Sequence, residues 1–206
     1  MQTGWNENRA VLRGTAAADP VLSHESHGVA YDTFPLAVKR LSGSEDVLNV
    51  VAPRALLVQH PVTAGMELEV EGEVRSFNNK SGRGSRLVIT LYAKNITPWA
   101  GEHANALVLS GVLCKPPVFR RTPLGREICD LMLAVNRRYG RADYLPCIAW
   151  GSLARRCGTL GVGERVRLEG RLQSRGYTKV ENGVSHTRTA YEISAMQVEL
   201  MNQEPS

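Results

Sequence analysis

The chain repeats one sequence pattern at an offset of 97 residues. Within residues 8–56, sixteen positions carry the same amino acid 97 positions later, and within residues 65–76 four more do so after a one-residue slip. Four of the matched pairs are Val11 and Val108, Gly14 and Gly111, Arg40 and Arg137, and Asp46 and Asp143. Such a constant offset, kept over about seventy residues, indicates two copies of one small domain.

The repeat sets the expected domain organisation of the 206 residues. A length of about one hundred residues is typical of a single small domain. Pro98 and Gly101 interrupt the pattern between the copies. We therefore expect domains at residues 1–98 and 104–200, followed by a short disordered tail at 201–206.

Alternating apolar and polar residues predict β-strands in both copies. In the second copy we expect strands at 106–114, 127–136, 143–150, 164–174 and 187–198. In the first copy we expect them at 9–17, 30–40, 46–53, 67–77 and 86–96. Between strands three and four the alternation stops, which predicts a short helix at 152–160, capped by Ser152 and ended by Gly158, and a shorter one at 54–60.

The order strand, strand, strand, helix, strand, strand is that of the OB-fold, a five-stranded, partly open barrel. The sequence therefore predicts an all-β protein with two tandem OB-folds. Each is a Greek-key barrel with a short helix between strands three and four. The proline-rich segment 115–125 is expected to be a loop.

The formal charge of +5 is unevenly distributed. Residues 1–100 hold ten basic and ten acidic side chains, whereas residues 101–206 hold fifteen and ten. All of the excess positive charge therefore lies in the second copy. A basic half favours a polyanionic partner, with a plain solvated surface as the alternative.

The cysteines, all four in the second copy, do not predict a disulfide framework. Cys114, Cys129, Cys147 and Cys157 correspond to Ala17, Asp32, Val50 and His60 in the first copy, and no CxxC pair occurs. Because a shared framework would be expected in both copies, reduced and mostly packed thiols are the better interpretation.

Other chemistry is weakly supported by the sequence. His24 and His27, with Asp19 and Glu25, lack a further close ligand set, so we expect no metal. We also expect no cofactor and no enzymatic activity, because Cys147 has no evident base to activate it. No apolar run is long enough for a membrane helix and no signal pattern opens the chain, so a cytoplasmic, nucleoid-associated protein is expected.

Several blocks of the second copy resemble one known family. They read RRTPLGREICDLMLAVNRR, ADYLPCIAWGSLARRC and GERVRLEGRLQSRGYTK. Across residues 105–200 this half resembles the bacterial single-stranded DNA-binding protein family. The first copy, with DTFPLAVKR and EVEGEVRSF, is similar to the same fold with a weaker match.

The resemblance implies stacking of bases on Tyr144, Trp150 and Tyr177. Tyr144 and Trp150 are six residues apart on one predicted strand, so they point to the same side. Such binding also requires cations for the phosphates. The expected cations are Lys115, Arg120, Arg121, Arg137, Arg138, Arg171 and Arg175. The alternatives are that the rings fill a core and that some arginines are merely solvated.

The first copy has lost all three stacking positions. Val47, Pro53 and Asn79 stand where the second copy has Tyr144, Trp150 and Tyr177. We therefore expect the second copy to do most of the binding and the first to support assembly or extend the path. A weaker hypothesis is that a bound nucleic-acid strand also contacts four residues of the first copy, Phe77, Lys80, Arg83 and Arg86.

The resemblance implies sequence-independent binding of single-stranded DNA in replication, recombination or repair. A homodimer would supply the four OB-folds that single-OB members reach as tetramers. Family members usually carry a tail with an acidic, aromatic tip, and the ending Met201–Ser206 lacks that pattern, so recruitment of partners through it is not expected. The alternatives are an RNA-binding or primosome-type OB adaptor and an OB module that binds protein.

Overall fold

The computed structural model describes residues 6–79, 87–137, 140–181 and 183–201. Lys80, Arg83, Arg86, Arg138 and residues 202–206 of the tail predicted at 201–206 lie outside the described residues. The described part consists mainly of β-strands with two short helices. None of its helices is long and apolar enough to span a membrane.

The first copy forms a six-stranded barrel sheet. Its elements are β1 (Asn8–Ala16), β2 (Val21–Ser26), β3 (Val29–Lys39), β4 (Glu45–Pro53), α1 (Arg54–Gln59), β5 (Glu67–Asn78) and β6 (Leu87–Pro98). The strand order is β2-β3-β4-β6-β5-β1, and a further pairing of β1 with β3 closes the barrel.

The second copy repeats this arrangement. Its elements are β7 (Ala104–Leu113), β8 (Val118–Arg121), β9 (Glu127–Asn136), β10 (Ala142–Trp150), α2 (Gly151–Cys157), β11 (Arg165–Glu181) and β12 (Val184–Leu200). The strand order is β7-β11-β12-β10-β9-β8, and β7 also pairs with β9. The prediction of two tandem OB-folds is confirmed. If the short strands β2 and β8 are left out of the count, the helix of each copy lies between the third and fourth strands, as predicted.

One repeated glycine lets each barrel close. A Cβ built on Gly14 would lie 2.3 Å from the carbonyl oxygen of Ala37 on β3. One built on Gly111 would lie 2.6 Å from that of Ala134 on β9. Neither distance is compatible with a real side chain, so only glycine permits the first strand of each copy to bend against the third.

Three local predictions were wrong in detail. Within the predicted loop 115–125, Val118–Arg121 forms β8, which pairs with β9 and adds a short edge strand. The helix begins at Gly151, and its N-cap is Trp150, without a side-chain hydrogen bond, instead of Ser152. β11 and β12 extend beyond their predicted ends. The residues in these extensions are mostly exposed, so they lack the alternation of buried and exposed side chains on which the prediction depended.

The described residues form two compact units. The C-terminal unit contains residues 6–8, the described part of 107–172, and 192–201. The N-terminal unit contains the described part of 9–106 together with 173–191. The boundaries expected from the sequence, 1–98 and 104–200, stay a prediction about independent folding.

Candidate nucleic-acid interface

Strand β10 of the second copy carries two exposed aromatic rings. Tyr144 is 55% exposed and Trp150 is 41% exposed. The alternate residues Leu145, Cys147 and Ala149 are buried in the barrel core. Because successive side chains of a strand point to opposite faces, the core is filled without the two rings. The alternative in which they fill a core does not fit their exposure.

Trp150 occupies the junction between β10 and α2. It is the last residue of the strand and the N-cap of the helix. The next residue, Gly151, has φ +58, in the left-handed region that glycine enters at little cost. The corresponding residues of the first copy are Pro53 and Arg54. The glycine therefore allows the chain to turn sharply directly after the ring.

Residues that pair across the sheet place a shallow apolar surface between the two rings. Tyr144 pairs with Ala134, Pro146 with Met132, and Trp150 with Ile128 on β9. Paired residues share a face, so Ala134, Met132 and Pro146 are partly exposed on the outer side of the barrel with the rings, whereas Ile128 beside Trp150 is buried. Such a surface can bind flat, apolar groups by stacking.

The expected cations of the β8 edge form ion pairs. Arg120 donates Nε to Oδ2 of Asp130 at 2.8 Å, and this hydrogen bond raises the pKa of Arg120. Arg121 and Arg155 share the carboxylate of Glu127. Exposed ion pairs of this kind are worth at most about 1 kcal/mol, so a phosphate can replace the carboxylate partner.

Arg137 is engaged differently, because its partner Asp143 is fully buried. Its guanidinium makes two hydrogen bonds to the Asp143 carboxylate. The 97-residue offset carries Arg40 and Asp46 onto this pair, and they form the same bidentate contact. The repetition was a sequence signal that could have identified Arg137 as a structural residue, and the sequence analysis did not use it.

Three expected cations have no ion pair with a described residue. Lys115 and Arg175 are exposed. Arg171 is half-buried, and its Nε is a buried donor without a hydrogen-bond partner in the described part of the chain. A buried N–H without an acceptor is costly.

The expected site residues are divided between the two units. Tyr144 and Trp150 lie in the C-terminal unit with the cations Lys115, Arg120, Arg121, Arg137 and Arg171. Tyr177, half-buried within β11, and Arg175 belong to the N-terminal unit. Arg138 is outside the described residues.

Three of the four thiols of the second copy are unsuited to nucleophilic chemistry. Cys129, Cys147 and Cys157 are buried, and burial raises the pKa of all three, that of Cys157 to about 11. The thiolate is the reactive form, so these residues stay unreactive near neutral pH. Among the described residues, no group of three His, Cys, Asp or Glu side chains is placed to hold a metal ion.

The fold and the face together define an OB-fold protein that exposes two aromatic rings on one strand of its second barrel. The model of the Single-strand binding protein family matches residues 104–201. The chain is also 33% identical over 108 residues to single-stranded DNA-binding protein 2 of Chlorobaculum tepidum, covering 48% of this chain and 71% of that protein. The chain belongs to the single-strand binding protein family.

Two further comparisons agree with this assignment. Single-stranded DNA-binding protein A of Bacillus subtilis is 33% identical over 104 residues, which cover 47% of this chain and 59% of that protein. The crystal structure of the Thermus aquaticus single-stranded DNA-binding protein has a TM-score of 0.78 and 24% identity, covering 98% of this chain and 96% of that one. At that identity the structural match establishes the fold.

Proposed function

We propose that this protein binds single-stranded DNA without sequence preference, mainly through its second copy. The observation that carries the proposal is the exposure of Tyr144 and Trp150 on one strand of an OB-fold. Their equivalents in the first copy, Val47 and Pro53, offer no ring. Bases would stack on the two rings and on Tyr177, because stacking accepts every base.

The phosphates would be neutralised by the cations expected from the sequence. Lys115, Arg171 and Arg175 have no described carboxylate partner. Arg120 would exchange the exposed carboxylate of Asp130 for a phosphate, Arg121 would leave the largely buried Glu127 to Arg155, and Arg137 keeps its buried partner. Arg138 completes the proposed set from the sequence alone.

The biological setting follows the general roles of the family. The protein would protect single strands during replication, recombination and repair, as a binding protein with no catalytic step. We further propose that two chains form a homodimer with four OB-folds, and that the protein works in the cytoplasm at the nucleoid. Light scattering at micromolar concentration tests the dimer, and a mass of 22.6 kDa for the particle would rule it out.

Fluorescence titration tests the binding. Oligo-dT, a duplex of equal length and an RNA of equal length are added at two salt concentrations. We expect quenching by oligo-dT, weak binding of duplex, and a log–log salt slope of about −0.7 for each phosphate neutralised. A Trp150→Phe variant assigns the quenching to Trp150, because the other two tryptophans, Trp5 and Trp99, are unchanged in it.

The same titration separates the alternatives. A protein-binding OB module would bind none of the three nucleic acids. An RNA adaptor would prefer the RNA, since such a preference needs contacts to the 2′-hydroxyl. Either result would contradict the proposed function.

A further inference from the structure

The first copy, which lacks the expected stacking residues, carries an aromatic cluster of its own. The cluster consists of His24 on β2, Tyr31 on β3, and Tyr92 with Lys94 on β6, and we refer to it as the His24 cluster. All four residues belong to the N-terminal unit. None of the aromatic positions expected from the second copy contributes to it.

The rings of the His24 cluster form a continuous series. The His24 and Tyr31 rings are stacked, with centroids 4.9 Å apart and planes inclined by 10°. The Tyr31 and Tyr92 rings are 5.9 Å apart and tilted by 49°. The Nζ atom of Lys94 lies 4.8 Å from the centroid of the Tyr92 ring. A cation therefore stands at the end of three aromatic rings.

Strand pairing places these rings on the outer face of the first barrel. Tyr31 pairs with Pro53, and Tyr92 pairs with Val51. The inward neighbours Phe34 and Leu91 are fully buried and fill the core. The His24 cluster is thus on the face that, in the second copy, carries Tyr144 and Trp150, but at different positions of that face.

The cluster is open to a ligand at one end. His24 is exposed, whereas Tyr31 and Tyr92 are half-buried. Burial and a hydrogen bond with Tyr31 raise the pKa of Tyr92 to about 12, so this phenol stays neutral at physiological pH and does not repel phosphate. Lys94 is about half exposed, and its ion pair with Glu73 is long, at 3.8 Å. A long, exposed pair is readily exchanged for another anion.

We propose that the His24 cluster is a second binding site for unpaired nucleotides. A base stacks on the exposed imidazole of His24 and extends the His24–Tyr31 stack, while Lys94, at the opposite end of the ring series, contacts a phosphate farther along the same DNA strand. A base needs only a flat π-surface and a phosphate needs only a nearby cation, and this cluster supplies both. The inference rests on the proposed function, but it concerns residues that the second copy does not share.

Two variants at exposed positions test the site. His24→Ala removes the outer ring, and Lys94→Ala removes the cation. Affinity is measured for oligo-dT lengths from about 8 to 40 nucleotides, starting from the lower part of the site sizes typical of one OB-fold. We expect no change for the shortest oligonucleotides, which the second copy holds alone, and about a tenfold loss for the longest with the double variant.

A crosslinking experiment gives an independent result. Oligo-dT substituted with bromodeoxyuridine is irradiated with the intact wild-type protein, and the modified peptides are identified by mass spectrometry. We expect adducts at His24 or Tyr31 with the long oligonucleotide. They should persist, at higher protein concentration, in the Tyr144→Ala, Trp150→Ala variant.

Lys39→Ala is the matched control for loss of charge, since Lys39 is also an exposed lysine of the first copy. It should not change the dependence of affinity on length. If wild-type protein binds DNA but the double variant keeps its affinity at every length and no adduct forms in the cluster, the inference is wrong and the proposed function stands. If wild-type protein binds no single strand, both are wrong.

Discussion

Arg137 makes a bidentate, hydrogen-bonded ion pair with Asp143, whose carboxylate is fully buried. Nε of Arg137 lies 2.5 Å from Oδ2 of Asp143, and a terminal guanidinium nitrogen bonds the other oxygen. Asp143 also pairs with Val135 across the sheet, so the contact fastens the end of β9 to the start of β10. The strand that begins here carries Tyr144 and Trp150.

We predict that Arg137→Ala lowers the free energy of unfolding by about 3 kcal/mol, because it leaves a buried carboxylate without its cation. Urea denaturation followed by circular dichroism measures the change. Arg141→Ala is the matched control, since Arg141 is exposed and nearby, and its effect should be within about 0.5 kcal/mol. Equal losses of unfolding free energy in the two variants would show that the buried ion pair does not stabilise the fold more than an exposed arginine does.

The second prediction concerns the aromatic face. Tyr144→Ala combined with Trp150→Ala should weaken oligo-dT binding by about 1–3 kcal/mol for each ring, because the stacking surface is removed. Anisotropy of a labelled oligonucleotide measures the affinity. Val58→Ala, at an exposed apolar residue of α1, should leave binding unchanged. A double variant that stays folded and binds as tightly as wild type would contradict the proposed face.

The cations should differ in their effect on salt dependence. We predict that Lys115→Ala and Arg175→Ala each reduce the log–log salt slope by about 0.7, because each removes one phosphate contact. Arg155→Ala is the control, since Arg155 is exposed and bound to Glu127 in the second copy but lies outside the proposed set. Slopes come from titrations at four or more salt concentrations. Unchanged slopes for Lys115 and Arg175 would remove them from the site.

The four thiols should react at two rates. Cys114 is half-buried, whereas Cys129, Cys147 and Cys157 are buried with raised pKa values. We predict that a disulfide reagent at pH 8 modifies one thiol of the native protein quickly and the rest only after unfolding. Cys114→Ser should abolish the fast phase. Two or more fast thiols in that variant would be inconsistent with the packing.

The ion pair of Asp32 and Arg54 predicts a dependence of stability on pH. The hydrogen bond from Arg54 lowers the pKa of Asp32 in the folded state below its usual value. A lowered carboxyl pKa stabilises the fold above the unfolded-state pKa of about 3.9, and the contribution is lost as the pH falls through the folded-state pKa. Arg54→Ala should therefore be less stable than wild type at pH 7, with the difference vanishing in strong acid.

Urea denaturation at pH 7, 5, 3 and 2 measures this difference. Arg9→Ala, at an exposed arginine of β1, provides the control and should show no such trend. A difference between Arg54→Ala and wild type that stays constant across the series would mean that the pair does not set the pKa of Asp32.

The repeat and the strand alternation were enough to predict the architecture. Both are local properties of the chain: the offset reports duplication, and the period of two reports which side of a strand is buried. For this reason the outward direction of Tyr144 and Trp150 was predictable without coordinates. β8 was missed because Val118 and Phe119 are both largely exposed, so no alternation marks that edge strand.

Only the tertiary structure decided how the charges and the other rings are arranged. Arg120 and Arg121 are neighbours in the sequence, yet Arg120 meets the exposed carboxylate of Asp130, whereas Arg121 shares the largely buried carboxylate of Glu127 with Arg155. Tyr31 and Tyr92 lie on strands far apart in the chain and meet only because β4 and β6 pair in parallel in the first barrel. Alternation specifies a side chain's face, whereas its neighbours on that face depend on strand order, which forms only when the barrel closes.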